Sequence, residues 1–160
     1  MLPGDEELKT PDELRRWLVG HRLLARGATV SPHEHRRALD VREALRRLLI
    51  ANTDGSADAK ALQTLNEAAE RADLVVRFDR SGRAELEPGA AGVDAALGRV
   101  LSAAYSAMVN GTWDRLKACS DDRCLWVFYD QSKNQSSRWC SMAVCGNRNK
   151  ARKHRARSRT

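Results

Sequence analysis

The chain has 160 residues, room for one ordinary domain, or for one domain plus a small appendage that needs help to fold. At 42 % apolar and 31 % charged residues it reads as soluble and helix-rich rather than disordered, and no apolar run approaches the roughly 18 residues of a membrane-spanning helix. The net charge of +7 sits at one end: seven of the 28 Lys and Arg fall in residues 148–160, where no acid occurs, leaving 21 bases against 21 acids before them.

The N-terminal Met1-Leu2-Pro3-Gly4-Asp5-Glu6-Glu7 is acidic and lacks an apolar core, so it does not read as a secretory leader. The cytoplasm is then the expected compartment, where disulfides are uncommon. Thr10-Pro11-Asp12-Glu13 is a helix start, with Thr10 as N-cap, Pro11 in the first helical position and Glu13 closing a capping box. Leu14, Trp17, Leu18, Leu24 and Ala25 follow at roughly helical spacing, with Gly27 as the stop. Ser31-Pro32-His33-Glu34 repeats the start signal for a second helix carrying Leu39, Val41, Leu45, Leu48 and Leu49 and ending before Asn52. Its mixed charges read as a solvated face.

A third helix is expected from about Ser56 to Arg71, with Ala61, Leu62, Leu65 and Ala69 on one side. Leu74–Phe78 is β-branched, Asp79-Arg80-Ser81-Gly82 is a turn, and Arg83–Glu87 alternates, which together predict a hairpin. A fourth helix, Val93–Val109, stops at Asn110-Gly111. Trp17, Tyr105 and Met108 read as core. His33 and His35 are two apart, a poor metal spacing, and read as surface. Residues 1–111 form the expected helical domain, without a Gly-rich phosphate loop or an acid/base set that would suggest an enzyme.

All four cysteines follow, as Cys119-x4-Cys124, fifteen intervening residues, and Cys140-x4-Cys145. Leu125–Tyr129 is strand-prone, and a polar turn leads back to Trp139, which predicts a knuckle, a hairpin, a second cysteine pair and a helix. About forty residues cannot bury enough apolar surface to fold alone, so a staple is expected. Four thiolates can surround one tetrahedral Zn²⁺ at about 2.3 Å, and such an ion supplies on the order of 10 kcal/mol of folding energy. Structural or disulfide-forming cysteines are the alternative. A catalytic zinc fits less well, because four cysteines would leave no open position.

Trp139-Cys140-Ser141-Met142-Ala143-Val144-Cys145-Gly146-Asn147-Arg148, followed by Lys150, Arg152, Lys153, His154 and Arg155, resembles the C-terminal CGNR zinc finger. That family is common in actinobacterial proteins described as stress-induced transcription regulators. The resemblance covers residues 119–157 closely, and the upstream helices are similar in layout to the family's partner domain. It implies one structural Zn²⁺ on Cys119, Cys124, Cys140 and Cys145, and DNA as the partner. The family's partner domain usually carries a further segment upstream of the first helix, for which this chain has little room.

If residues 141–157 are helical, Arg148, Arg152, Arg155 and Arg159 recur on one face with Lys150, Lys153, His154 and Arg157 flanking it. Like charges this dense repel one another, and phosphates would relieve them with release of counterions. Arginine can also read the O6/N7 edge of guanine. Asn147 could pair with adenine, but after a glycine it more readily serves the chain path.

The expected protein is therefore mainly α. A helical sensor or dimerisation domain occupies residues 1–111, with one small β-hairpin. A treble-clef-like zinc module occupies residues 112–160, with Arg148, Lys150, Arg152, Lys153, Arg155, Arg157 and Arg159 as the nucleic-acid contacts. A homodimer contact or a small-molecule effector would belong to the first domain. The competing reading is a zinc-stabilised module that binds RNA or protein and regulates no gene.

Overall fold

A computed structural model describes residues 6–56, 58–124 and 126–157, apart from the side chains of Thr53, Asp54 and Lys153. The described residues separate into two compact units, one of residues 6–47 with 58–113, the other of residues 48–56 with 114–124 and 126–157.

The first unit opens with α1 (Pro11–Gly20), capped as expected: the Glu13 N–H donates to Thr10 Oγ1 at 3.2 Å, and the Thr10 N–H donates to Glu13 Oε2 at 2.8 Å. The helix ends well before Gly27. His21 is its C-cap, the Arg22 N–H donates to the Val19 carbonyl (3.0 Å), and the Leu23 N–H reaches back to the Leu18 carbonyl (2.9 Å). This is a Schellman closure, which requires a left-handed residue after the cap, usually glycine. Arg22 occupies that position at φ 60°, a conformation costing an L-residue roughly 1–2 kcal/mol.

The same capping box, built from Ser31 and Glu34, starts α2 (Pro32–Asp54), which runs past its expected end at Asn52. Asp58 caps α3 (Ala59–Arg71) through the Ala61 N–H. The antiparallel hairpin β1 (Leu74–Phe78) and β2 (Ala84–Pro88) pairs Leu74 with Pro88 and Phe78 with Ala84. Then α4 (Gly92–Val109) stops at Asn110 and Gly111, the latter at φ 68°.

The core is made of small aliphatic side chains: Leu14, Leu18, Ala38, Val41, Ala61, Leu65, Ala68, Ala72, Val93, Ala96 and Leu97 are all buried. Small residues let the elements approach closely. A Cβ on Gly98 of α4 would stand 2.7 Å from Ala72 Cβ and 2.9 Å from Pro88 Cβ, so this glycine is what lets α4 lie against the α3 end and β2. Arg37 of α2 donates to Asp94 of α4 at 2.6 Å in a partly buried ion pair.

Three expected core residues are not in the core. Trp17, Tyr105 and Met108 are 38 %, 52 % and 44 % exposed. Trp17 stacks on His21 at the helix end, with ring centroids 4.1 Å apart. The buried residues of α4 all lie between Val93 and Leu101, so its last two turns, which carry Tyr105 and Met108, are largely outside the core. On α3 the buried set is Ala61, Leu65 and Ala68, and Leu62 faces out.

A 3₁₀ turn (Trp113–Arg115), where the chain passes into the second unit, leads into β3 (Leu116–Ala118), which pairs antiparallel with β4 (Val127–Tyr129), Lys117 opposite Phe128. The partner of the strand-prone segment thus precedes Cys119, whereas the sequence suggested that it would follow. The first cysteine pair lies in the loop of this hairpin. A π-helical turn (Met142–Gly146) then passes directly into α5 (Asn147–Arg157).

Candidate metal centre

The second unit buries almost no hydrocarbon. Its buried apolar residues, among those described, are Leu49, Ala118, Cys119 and Cys145, so one leucine is its only large buried hydrocarbon there; its other buried side chains are Lys117, Asp121 and Asp130. Apolar burial of this extent cannot hold a fold of this size, so its stability must come from another source.

The four sulfurs supply it. Cys119, Cys124, Cys140 and Cys145 offer Sγ atoms that all lie within 4.8 Å of one another, and none is disulfide-bonded. The Cys124–Cys140 and Cys140–Cys145 sulfurs are 3.7 and 3.8 Å apart. Tetrahedral zinc with Zn–S of about 2.3 Å requires sulfurs about 3.8 Å apart. The donor set fits one Zn²⁺, and four thiolates complete its shell, which makes the ion structural.

Each ligand is placed by backbone chemistry. The Cys119 N–H donates to the Trp126 carbonyl and the Cys124 N–H to the Asp121 carbonyl, both at 2.8 Å, so the hairpin loop folds its two cysteines together. Ser120 reaches the Arg138 carbonyl at 2.8 Å and draws the return segment alongside. Ser141 caps the π-turn by accepting from the Val144 N–H, and the Cys145 N–H donates to the Ser141 carbonyl at 2.9 Å, which fixes Cys145 one turn after Cys140.

Thiols packed this closely resist joint ionisation. Burial, then the Cys124 sulfur, pushes Cys140 up to about 11. Burial, with the other sulfurs, pushes Cys145 higher still. Burial also works against ionising Cys124, but the Trp126 backbone hydrogen bond and the neighbouring sulfurs outweigh it and hold that thiol below its ordinary value. A divalent cation reverses this balance by drawing all four into the thiolate form.

A second polar device holds the loop between the cysteine pairs. Buried Asp130 accepts from Lys117 Nζ at 3.0 Å and from the Ser132 and Ser137 N–H groups, each at 2.9 Å. Lys117 Nζ also donates to the Gln135 carbonyl. Burial would raise the Asp130 carboxyl, yet the Ser132 and Ser137 hydrogen bonds and the Lys117 ammonium hold it far below the usual carboxylate range.

The start of α5 is tied to the hairpin loop by charge. Asp121, fully buried, accepts from Arg148 Nη1 and Arg152 Nη2 at 3.2 Å each, and Asp122 accepts from Arg152 Nη1 at 2.6 Å. The Arg152 hydrogen bond lowers the Asp122 carboxyl. Arg148 and Arg152, expected to face nucleic acid, therefore have acidic partners within the unit. Lys150, Arg155 and Arg157 are exposed; the Arg155 Nε bonds back to the Ala151 carbonyl at 3.3 Å. Position 153 lies within the helix, and Arg159 falls outside the described residues. Asn147 Nδ2 donates to the Ala143 carbonyl at 3.1 Å and so serves the chain path. Gly146 leaves room for Met142, whose Sδ would lie 2.8 Å from an added Cβ.

Sequence reasoning located the sulfurs but missed Lys117, Asp121, Asp122 and Asp130. The available signal was the Asp121-Asp122 pair inside the first cysteine spacing, the acids nearest in sequence to the second cysteine pair apart from Asp130.

Residues 2–111 match the family described as "Putative stress-induced transcription regulator", and residues 115–158 match the CGNR zinc finger. A search of curated proteins found no match.

Proposed function

We propose, from the premise that the chain belongs to the stress-induced transcription regulator family and ends in a CGNR zinc finger, that it binds DNA through the side of α5 turned away from Asp121. The observation that carries this reading is the division of the helix. Arg148 and Arg152 are neutralised by Asp121 and Asp122, while Lys150 and Arg157, seven residues or about two turns apart, share the other side with position 153. No acid occurs in α5 itself.

Lys150, Lys153 and Arg157 are the phosphate contacts in this reading, Arg148 and Arg152 position the helix, and Arg155, three residues from Arg152, shares their side rather than the contacting one. The zinc supplies no chemistry beyond holding the four sulfurs, and the protein is not an enzyme. Residues 1–111 form the sensing or dimerising part and residues 112–160 the DNA-reading part, acting in the cytoplasm.

The test is fluorescence anisotropy of the zinc-loaded full chain on duplexes selected from a random pool, over a salt series. Each lost phosphate contact removes about 0.9 from the slope of log K against log salt. Lys150→Ala and Arg157→Ala are expected to flatten the slope by about that amount each while zinc stoichiometry stays at one. Slopes unchanged in both variants, or RNA outcompeting every duplex at every salt, would overturn the reading. One observation favours an RNA- or protein-binding module instead: Trp126, Tyr129, Met142 and Val144 are about half exposed on the zinc unit and could stack on unpaired bases or pack on a protein.

A further inference from the structure

The first unit carries a groove that the DNA reading does not use. It follows the end of α1, the segment 22–26 and Arg99 of α4, with a volume of about 710 Å³, within the range of small-molecule sites. Its lining includes five arginines, Arg15, Arg16, Arg22, Arg26 and Arg99, and no acid. Apolar surface comes from Val19, Leu23 and Leu24.

These arginines are not spent on internal ion pairs in equal measure. Arg15 and Arg16 share Asp12, at 2.9 and 3.2 Å, and Arg99 donates one nitrogen to the Leu23 carbonyl at 2.9 Å. The Arg22 and Arg26 side chains meet no acceptor among the described residues. Arg22 is also the residue held left-handed at φ 60°, in a helix closure that glycine would complete without strain. Strain kept at such a position is a mark of a side chain wanted for another purpose.

We propose that this groove binds a small organic polyanion, its phosphate or carboxylate groups held by Arg22, Arg26 and Arg99 with Arg15 and Arg16 beside them. Guanidinium groups present forked donors that match either oxyanion bidentately, and several converging on one concavity favour a ligand with several negative charges. The apolar surface gives the organic part its place. The site stands apart from the DNA reading, since binding here does not require α5 to touch DNA.

The test is calorimetric titration of the zinc-loaded full chain with ATP, citrate and inorganic tripolyphosphate in turn, at about 0.15 M salt, where loose surface attraction is screened. ATP or citrate is expected to bind at one per chain and more tightly than tripolyphosphate; which of the two wins identifies phosphate or carboxylate as the recognised group. Arg22→Gly removes the guanidinium while keeping the backbone, so affinity should fall about tenfold or more with the melting temperature unchanged or raised. Arg26→Ala should show a similar loss, and Arg77→Ala, on the distant sequence of β1, none. No saturable binding by any probe overturns the proposal. So does equal weakening by all three variants, tighter binding of tripolyphosphate than of both organic probes, or an Arg22→Gly loss seen only with a DNA duplex.

Discussion

Asp130 and Asp121 are both buried in the zinc unit, and they are satisfied differently. Asp130 faces the equally buried Lys117, so an asparagine there leaves an ammonium without a countercharge inside the fold. Breaking such a pair costs about 3–5 kcal/mol. Because folding of a small metal unit is linked to metal binding, Asp130→Asn should weaken zinc affinity by at least about a hundredfold, read by competition with a chelator. An unchanged affinity would remove the pair from the account. In the first unit, the Arg42 side chain binds both oxygens of Glu6 at 2.8 Å and lowers its carboxyl to about 2. A depressed carboxylate stabilises the fold above its unfolded value, near pH 4.3, and that contribution is lost as pH falls towards about 2. The Glu6 carboxyl resonance should therefore titrate near 2, and return to the ordinary range in Arg42→Ala. Neither acid was legible beforehand. Cysteine spacing is a local pattern that survives in one dimension, whereas the partners of Asp121 and Asp130 lie 27 and 13 residues away and come together only in the fold.

At the scale of elements, helix starts were easier to read than helix ends. Thr10 and Glu13, or Ser31 and Glu34, complete their hydrogen bonds within four residues, so the signal is contained in the string. The end of α1 escaped because Arg22 takes a conformation that its side chain disfavours, while Gly27 offered a false stop. Strand β3 escaped because Leu116-Lys117-Ala118 is only three residues long and carries a lysine that becomes buried. The packing of α4 gives the sharpest test at this scale. Gly98→Ala would drive a methyl group into Ala72 and Pro88, which are themselves held by the turn and hairpin. Overpacking of this kind costs about 1–3 kcal/mol, and the midpoint of chemical denaturation should fall accordingly. An alanine tolerated without loss would show that α4 can shift away from β2.

Across the whole molecule, the two units draw stability from different sources. Leucine, valine and alanine side chains fill the first, and four sulfurs with buried charges fill the second. A chelator should therefore abolish order in residues 114–157 and leave a cooperative thermal transition with most of the helical signal, since α1, α3 and α4 and most of α2 belong to the first unit. A single transition that disappears with the metal would contradict that division. The polar interior of the zinc unit has a thermal consequence as well. The heat capacity increment of unfolding comes from apolar surface newly exposed to water and is reduced by polar surface. A unit that buries so little hydrocarbon should have a small increment and a nearly straight stability curve, with no pronounced optimum and little loss on cooling. Zinc activity and pH, rather than temperature, would then decide whether α5 is held in place.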